Sequence, residues 1–418
     1  MVIIITVIMI TITRFTDIAR LRRLHPPIIF YGRRKTGKTF LVKNYYKDAE
    51  YFFVRRDRSV FWENKGEVLN YDEFIRIIET LNERTIIVDE FQRLPEEFLD
   101  YLHVRQFKDI VLITSTLFLA ESLISKRSPI LGLFLEYRVD TIDERDILLN
   151  LSEHFHGREL VERSVFLREP ILLQWADLDV FEIIKRLRIT VPALIGEVFL
   201  EEHRTLTERY EGILRAVSSG KQSIDEITKY LYKMKLIDAQ NPSLVKPYVD
   251  NLRRMGLLKR YKEFYGNKYY YFVSSPMIDV YFYLDEKYNF SESELDRRYF
   301  LEKIPFYVED FFRSLLAKLF NHRIFVIKRP EFDIDIVLGD FQKLSLLGEV
   351  KWKKFVEKAE IREIEERLNA FDVRKRVLIV PEKEALECEP KKLEVWDVND
   401  VLSFIRSRGK FKTEETYY

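Results

Sequence analysis

The stretch IIFYGRRKTGKTF, Ile28 to Phe40, decides how the first part of the chain is built. A short apolar run introduced by Pro26 and Pro27 ends at Gly32, and a helical pattern follows from Lys38 through Tyr45. That is the succession of strand, glycine-bearing loop and helix. Gly32-Arg33-Arg34-Lys35-Thr36-Gly37-Lys38-Thr39 fits G-x-x-x-x-G-K-[ST], the phosphate-binding P-loop. Its glycines let the backbone wrap a polyphosphate with the N–H groups pointing inward, and the helix N-terminus adds partial positive charge. In this reading Lys38 bridges the β- and γ-phosphates and Thr39 holds magnesium, so ATP and Mg²⁺ are the expected ligands.

A nucleoside triphosphatase also needs a carboxylate at the end of a nearby strand, and TIIVDEF supplies two. Asp89 is expected to hold the magnesium through water, and Glu90 to polarise the attacking water. Ser115 follows the apolar run IVLIT and is expected to contact the γ-phosphate or the water, a task that Thr114 or Thr116 would also suit. Between these motifs lie the strand pattern YFFVRR (51–56) and the amphipathic helix DEFIRIIETL (72–81), with Phe74, Ile77, Ile78 and Leu81 on one face. Strands alternating with helices predict an α/β fold around a parallel sheet.

GRRKTGKT, VDEFQRLP, and LITST followed by SPILG together resemble the archaeal ATPase family of P-loop proteins, related to AAA+ and STAND ATPases. The resemblance continues through RYEGILRAVSSGKQSIDEI, LVKPYVDNLRRMGLLKR and YYYFVSSPMIDVYFY, which look like that family's winged-helix segment, and covers about residues 14 to 405. It implies a P-loop core with a helical lid, then a winged helix, then a C-terminal section that looks nuclease-like. One departure stands out. Where the family usually carries an arginine directly after the glycine of S-P-x-x-G, this chain has Leu133. If that arginine senses the γ-phosphate, Arg127 or Arg138 is the expected replacement, or hydrolysis is slow.

Composition sets the outer bounds. The 418 residues suggest two to four domains, and 47% hydrophobic with 14% aromatic residues provides for sizeable cores. Charged residues reach 33% but nearly cancel, at +1, so any basic surface is local. A single cysteine, Cys388, excludes intrachain disulfides and a cysteine-based zinc cluster, which fits a reducing cytoplasm. The opening MVIIITVIMITIT is apolar but falls short of the ~20 residues a spanning helix needs. It reads as an extra strand, or as sequence ahead of a true start at Met9, and no membrane association is expected.

The expected organisation is an apolar extension (1–13), the P-loop core (14–142), a helical lid (143–206), a winged helix (207–285) and a nuclease-like α/β domain (286–418). Helices at 210–219, 224–231 and 243–255 precede a hairpin turning at Gly266 and Asn267, and Ser223 is placed to cap the second helix. Lys246, Arg253, Arg254, Lys259, Arg260, Lys262 and Lys268, interleaved with tyrosines, suit phosphate and base contacts, so DNA or RNA is a candidate partner. Such helices also serve as protein-docking modules.

In the last section FDIDIVLGD precedes LSLLGEVKW. A hairpin centred on Gln342 sets Asp335 opposite Glu349, with Lys351 two residues along the same face. Two carboxylates and a lysine so arranged suit a divalent-metal phosphodiesterase. The acids hold the ion and Lys351 steadies the hydroxide and the developing charge. Asp333 points the same way, and Glu309 matches a carboxylate that the resembled family often carries. Two functions remain open on sequence grounds. One is ATP-governed binding or cleavage of nucleic acid; the other is a nucleotide-dependent signalling switch that forms homo-oligomers without a nuclease activity.

Overall fold

The computed structural model describes residues 10–81, 84–117, 130, 132–202, 204–340 and 343–408. Two seven-stranded sheets organise these residues. The first contains β1 (Ile28–Tyr31), β2 (Glu50–Val54), β3 (Val60–Trp62), β4 (Glu67–Leu69), β5 (Ile86–Asp89), β6 (Ile110–Thr114) and β7 (Leu135–Arg138), in the order β4-β3-β2-β5-β6-β1-β7. Strands β2, β5, β6, β1 and β7 run parallel. The central runs IIVD and IVLIT are buried along their whole length, as strands covered on both faces must be. An antiparallel extension, β3 and β4, widens the sheet beyond what the apolar pattern shows. Phe52 stacks on Trp62 at a centroid distance of 5.5 Å, which holds β3 against β2.

Strand order fixes where a ligand can sit. The chain leaves β1 through helix Lys38–Tyr45 for β2, and later inserts β5 and β6 between the two. Tyr31 is in register with Thr114, and Asp89 with Ile113, so the carboxyl ends of β1, β5 and β6 lie side by side. Open α/β sheets bind ligands at that edge, where the strand order reverses.

From residue 144 the chain is helical, through Glu144–Leu151, Gly157–Leu167 and Val180–Glu201, as the pattern predicts. Helices Glu208–Ser218, Ile224–Lys233 and Pro242–Arg254 follow, and Ser223 caps the second in a reciprocal pair with Glu226. The hairpin β8 (Leu258–Glu263) and β9 (Tyr269–Val273) closes this unit. It also joins the second sheet, because β8 pairs in parallel with β10 (Arg323–Val326). That sheet continues through β11 (Ile336–Gly339), β12 (Leu344–Val350), β13 (Lys375–Ile379) and β14 (Glu394–Trp396), in the order β14-β13-β12-β11-β10-β8-β9. One apolar cluster takes in Ile12 and runs on from Ile142 to Ile405, so helices of the middle section and one face of the second sheet share a core. Among the described residues no helix is long and apolar enough to cross a membrane.

The first helix, Phe15–Leu21, is tied to the middle section through a buried carboxylate. Asp146 accepts the Thr16 hydroxyl at 2.6 Å and the Thr16 N–H at 3.2 Å. Burial, reinforced by the nearby charges of Asp143 and Asp17, outweighs these bonds and pushes its pKa up to about 7. The folded chain therefore keeps a proton there that the unfolded chain has lost. Asp146 supports the fold fully below the ordinary carboxylate range, and that contribution is lost as pH rises through about 7. Asp146→Asn should remove this loss. Relative to the parent, the variant should gain stability between about pH 4 and about pH 8, by at most about 4 kcal/mol, in paired thermal melts. A parallel pH dependence in both proteins would show that Asp146 titrates normally.

Candidate functional site

The loop after β1 has glycine where nothing else fits. A Cβ on Gly32 would stand 2.1 Å from the Val139 carbonyl oxygen, and Gly37 has φ +83° at the start of helix Lys38–Tyr45. Lys38 folds back across the loop, donating from Nζ to the carbonyls of Gly32 at 2.9 Å and Arg33 at 3.0 Å. Burial lowers its pKa to about 8, against the opposing pull of Glu90 and Asp89. Lys35 takes φ +64°, and the Thr36 hydroxyl donates to the Arg33 carbonyl. Arg14 ties the loop from outside, donating to the carbonyls of Thr36 and Asp140 at 2.8 Å each.

The two acids of the β5 end have different surroundings. Asp89 is 2% exposed; its Oδ2 accepts the hydroxyls of Thr39 at 2.6 Å and Tyr51 at 2.7 Å. Its Oδ1 is buried without a hydrogen-bond partner, and burial raises its pKa despite those two donors. A buried, half-satisfied carboxylate beside a threonine hydroxyl is a donor set that fits Mg²⁺. Glu90 follows in the left-handed region at φ +57°, which turns its side chain out of the strand's alternation. The Gln92 amide donates to its carboxylate at 2.6 Å, Ser115 Oγ lies 3.0 Å away, and an Arg93 nitrogen lies 3.4 Å away. Ser115, rather than Thr114 or Thr116, is the hydroxyl at Glu90.

Arg33 and Arg34 meet acids from distant parts of the chain. Arg33 pairs with Glu169, while Arg34 pairs with Glu201 and lies 2.7 Å from Glu197. Of the arginines expected to replace the one missing at Leu133, Arg138 is exposed and pairs with Asp140, and Arg127 lies outside the described residues. Arg93 is the guanidinium beside Glu90, in the motif DEFQR. Sequence reasoning missed Arg93, although it lies three residues past Glu90. It also missed Tyr51, Glu169 and Glu201, which no local spacing links to the loop.

A second cluster stands on the other sheet. The pairing of Ile336 with Gly348 continues to set Asp335 opposite Glu349, although the centre of the turn, Gln342, lies outside the described residues. Asp335 accepts the Val350 N–H at 2.9 Å. Lys351 Nζ lies 3.3 Å from Glu349 Oε2, and Arg367, unforeseen from sequence, lies 3.0 Å from the same oxygen. Glu349 is 1% exposed, with Oε1 lacking a partner. Burial and the charge of Asp335 raise the pKa of both Glu349 and Glu309, so these three acids share one electrostatic environment. Burial works against the charge of Lys351, yet Glu349 and Asp335 prevail and raise its pKa. Asp333 is exposed and pairs as an isolated bridge with Lys328, apart from this cluster. Among the described residues no three His, Cys, Asp or Glu side chains form a ready-made metal-holding group. On the β8–β9 hairpin, Arg260, Lys262 and Lys268 are exposed, whereas Lys259 is spent on Asp310 at 2.6 Å.

Comparison with known proteins bears on the first of these sites. Residues 24–140 match the family model described as an AAA domain. An uncharacterised protein of Methanocaldococcus jannaschii is 24% identical over 381 residues, covering 78% of this chain and 82% of the relative. Among solved structures, the Aeropyrum pernix ORC2 protein in ADPNP–ADP complexes aligns at TM-score 0.38 and 12% identity, over 72% of this chain and 93% of that one. The ORC1 protein of Aeropyrum pernix in complex with DNA aligns at TM-score 0.32 and 15% identity, over 68% of this chain and 95% of that one. The matched segment contains the whole Gly32–Thr39 loop with Asp89, Glu90 and Ser115, and this chain therefore carries an ATP-binding P-loop domain of the AAA type at residues 24–140.

Proposed function

We propose that the chain is a Mg²⁺-dependent ATPase whose nucleotide state governs nucleic-acid binding or cleavage by its C-terminal section. The carrying observation is the convergence of Lys38, Thr39, Asp89, Glu90 and Ser115 at the carboxyl ends of three adjacent parallel strands. Thr39 and Asp89 are the residues that would hold Mg²⁺, which when bound offsets charge on the phosphates. Glu90, turned out of the strand and held by Gln92, orients and polarises the attacking water. Ser115 contacts the water or the terminal phosphate, and Lys38 exchanges its loop carbonyls for phosphate oxygens.

Support for the downstream part comes from Asp335, Glu349, Glu309 and Lys351 sharing one electrostatic environment. Asp335 and Glu349 would hold a divalent ion, with Glu309 in the same electrostatic environment, and Lys351 would steady the attacking hydroxide. The exposed Arg260, Lys262 and Lys268 offer phosphate contacts on the hairpin. A second reading, a nucleotide-dependent switch that forms homo-oligomers and cuts nothing, is favoured by a specific contact. Glu349 is already matched by two cations, Lys351 and Arg367, so it has less need of a metal ion.

Titration with ATP should show Mg²⁺-dependent binding in the parent that Lys38→Ala lowers at least about a hundredfold, since phosphate contacts to a buried ammonium are charge-assisted. Unchanged affinity would sink the P-loop assignment. Incubation with plasmid and with single-stranded DNA or RNA, in Mn²⁺ or Mg²⁺ with ATP, should yield cleavage that Lys351→Ala removes. If the parent cuts none of these substrates while ATP still binds, the switch reading stands.

A further inference from the structure

Helix Val180–Glu201 ends on the phosphate-binding loop, and it ends in acids. Glu197 and Glu201, one turn apart, both meet Arg34, the third residue of the loop. Glu201 also accepts the Ser115 hydroxyl at 2.6 Å and lies 3.7 Å from Arg93. The helix end is held in place by Glu202, whose carboxylate accepts the Leu117 N–H at 2.7 Å just beyond β6. One carboxylate thus gathers two guanidinium groups and a hydroxyl beside Glu90. That donor set is what a terminal phosphate requires, because carboxylate and phosphate both offer arginine a negatively charged edge of two oxygens. A carboxylate at a helix C-terminus is moreover unfavourable with respect to the helix dipole, so its placement there depends on these donors.

We propose that Glu201 is a latch displaced by the γ-phosphate of ATP. Its carboxylate holds the Arg34, Arg93 and Ser115 donors that the terminal phosphate takes over, so ATP releases the end of helix Val180–Glu201 while ADP leaves it seated. This rests on the assignment of the loop as an ATP site and adds the group that distinguishes the two nucleotides. Affinity for ATP is then reduced by the fraction of molecules in which the latch is closed. Glu201→Gln keeps the size of the side chain and an acceptor for Ser115 but removes the charge that holds both arginines.

The test compares a non-hydrolysable ATP analogue with ADP, each with Mg²⁺, on the full chain and on the Glu201→Gln and Glu197→Gln variants. Glu201→Gln should tighten the ATP analogue by roughly tenfold and leave ADP within about twofold. Glu197→Gln, which touches Arg34 alone among these donors, should produce a smaller gain of the same kind. Hydrogen exchange across residues 195–202 should rise in the parent with the ATP analogue and stay unchanged with ADP. Equal tightening of both nucleotides would overturn the proposal, since the acid would then act only on the overall charge of the loop. Unchanged or weakened binding of the ATP analogue would overturn it as well. If the parent binds neither nucleotide, it is the loop assignment that fails, a result distinguishable from failure of the latch.

Discussion

Two adjacent side chains, Arg168 and Glu169, hold the molecule's two sheets in a common electrostatic frame. Glu169 reaches the loop and takes Arg33, and Arg168 pairs with Glu144 at 2.7 Å. Glu144 and its neighbour Asp143 accept Lys318 from helix Ile304–Phe320. Arg33 and Glu169 are both almost wholly buried, so removing Arg33 would leave an uncompensated charge, at a cost of about 3–5 kcal/mol, whereas Glu144 is answered by both Arg168 and Lys318. The pairs are therefore hard to break singly. They make the position of the loop and the position of the helix properties of one network.

That network matters because the same helix carries Glu309. From Lys318 it runs back through Arg313, which donates to the Asp335 carbonyl at 2.6 Å, to Asp310, which pairs with Lys259 of the hairpin. A shift of this helix would thus move Glu309 against Asp335 and Glu349 and would pull on β8 at the same time. Continuity between β8 and β10 strengthens the coupling, since the hairpin and the second sheet cannot move independently without breaking strand pairs. The hairpin and the second sheet are therefore one body, tied to the loop through the Arg168–Glu169 network.

How much of this could be read from sequence depended on how far apart the interacting residues lie. The loop from Gly32 to Thr39, and the acids Asp89 and Glu90, were legible because spacing within one motif dictates them. Asp335 facing Glu349 was legible for a related reason: an antiparallel hairpin turns sequence separation into register. Glu201 and Glu169 were not, since an acidic side chain looks the same in sequence whether it faces water or an arginine 136 residues away, as Glu169 does. Nor was the joining of β8 to β10, because strand pairing is made by backbone groups that every sequence has. The strands β3 and β4 escaped notice because each is three residues long, too short for a period of two to show.

The two acid sites differ in what their neighbours ask of them. Asp89 has two hydroxyl donors on one oxygen and nothing on the other, an arrangement that leaves its charge incompletely answered. Glu349 faces two cations, yet one of its oxygens is also without a partner and its pKa is raised by burial and Asp335. At Asp89 the hydrogen-bond donors are hydroxyls, with Lys38 acting on it only through its charge; at Glu349 the donors are themselves cations. Both cations lie on Oε2, Lys351 at 3.3 Å and Arg367 at 3.0 Å, and Oε1 is the oxygen left without a partner. Arg367, from helix Lys358–Asn369, and Lys351, from the end of β12, thus fix that carboxylate from two separate elements.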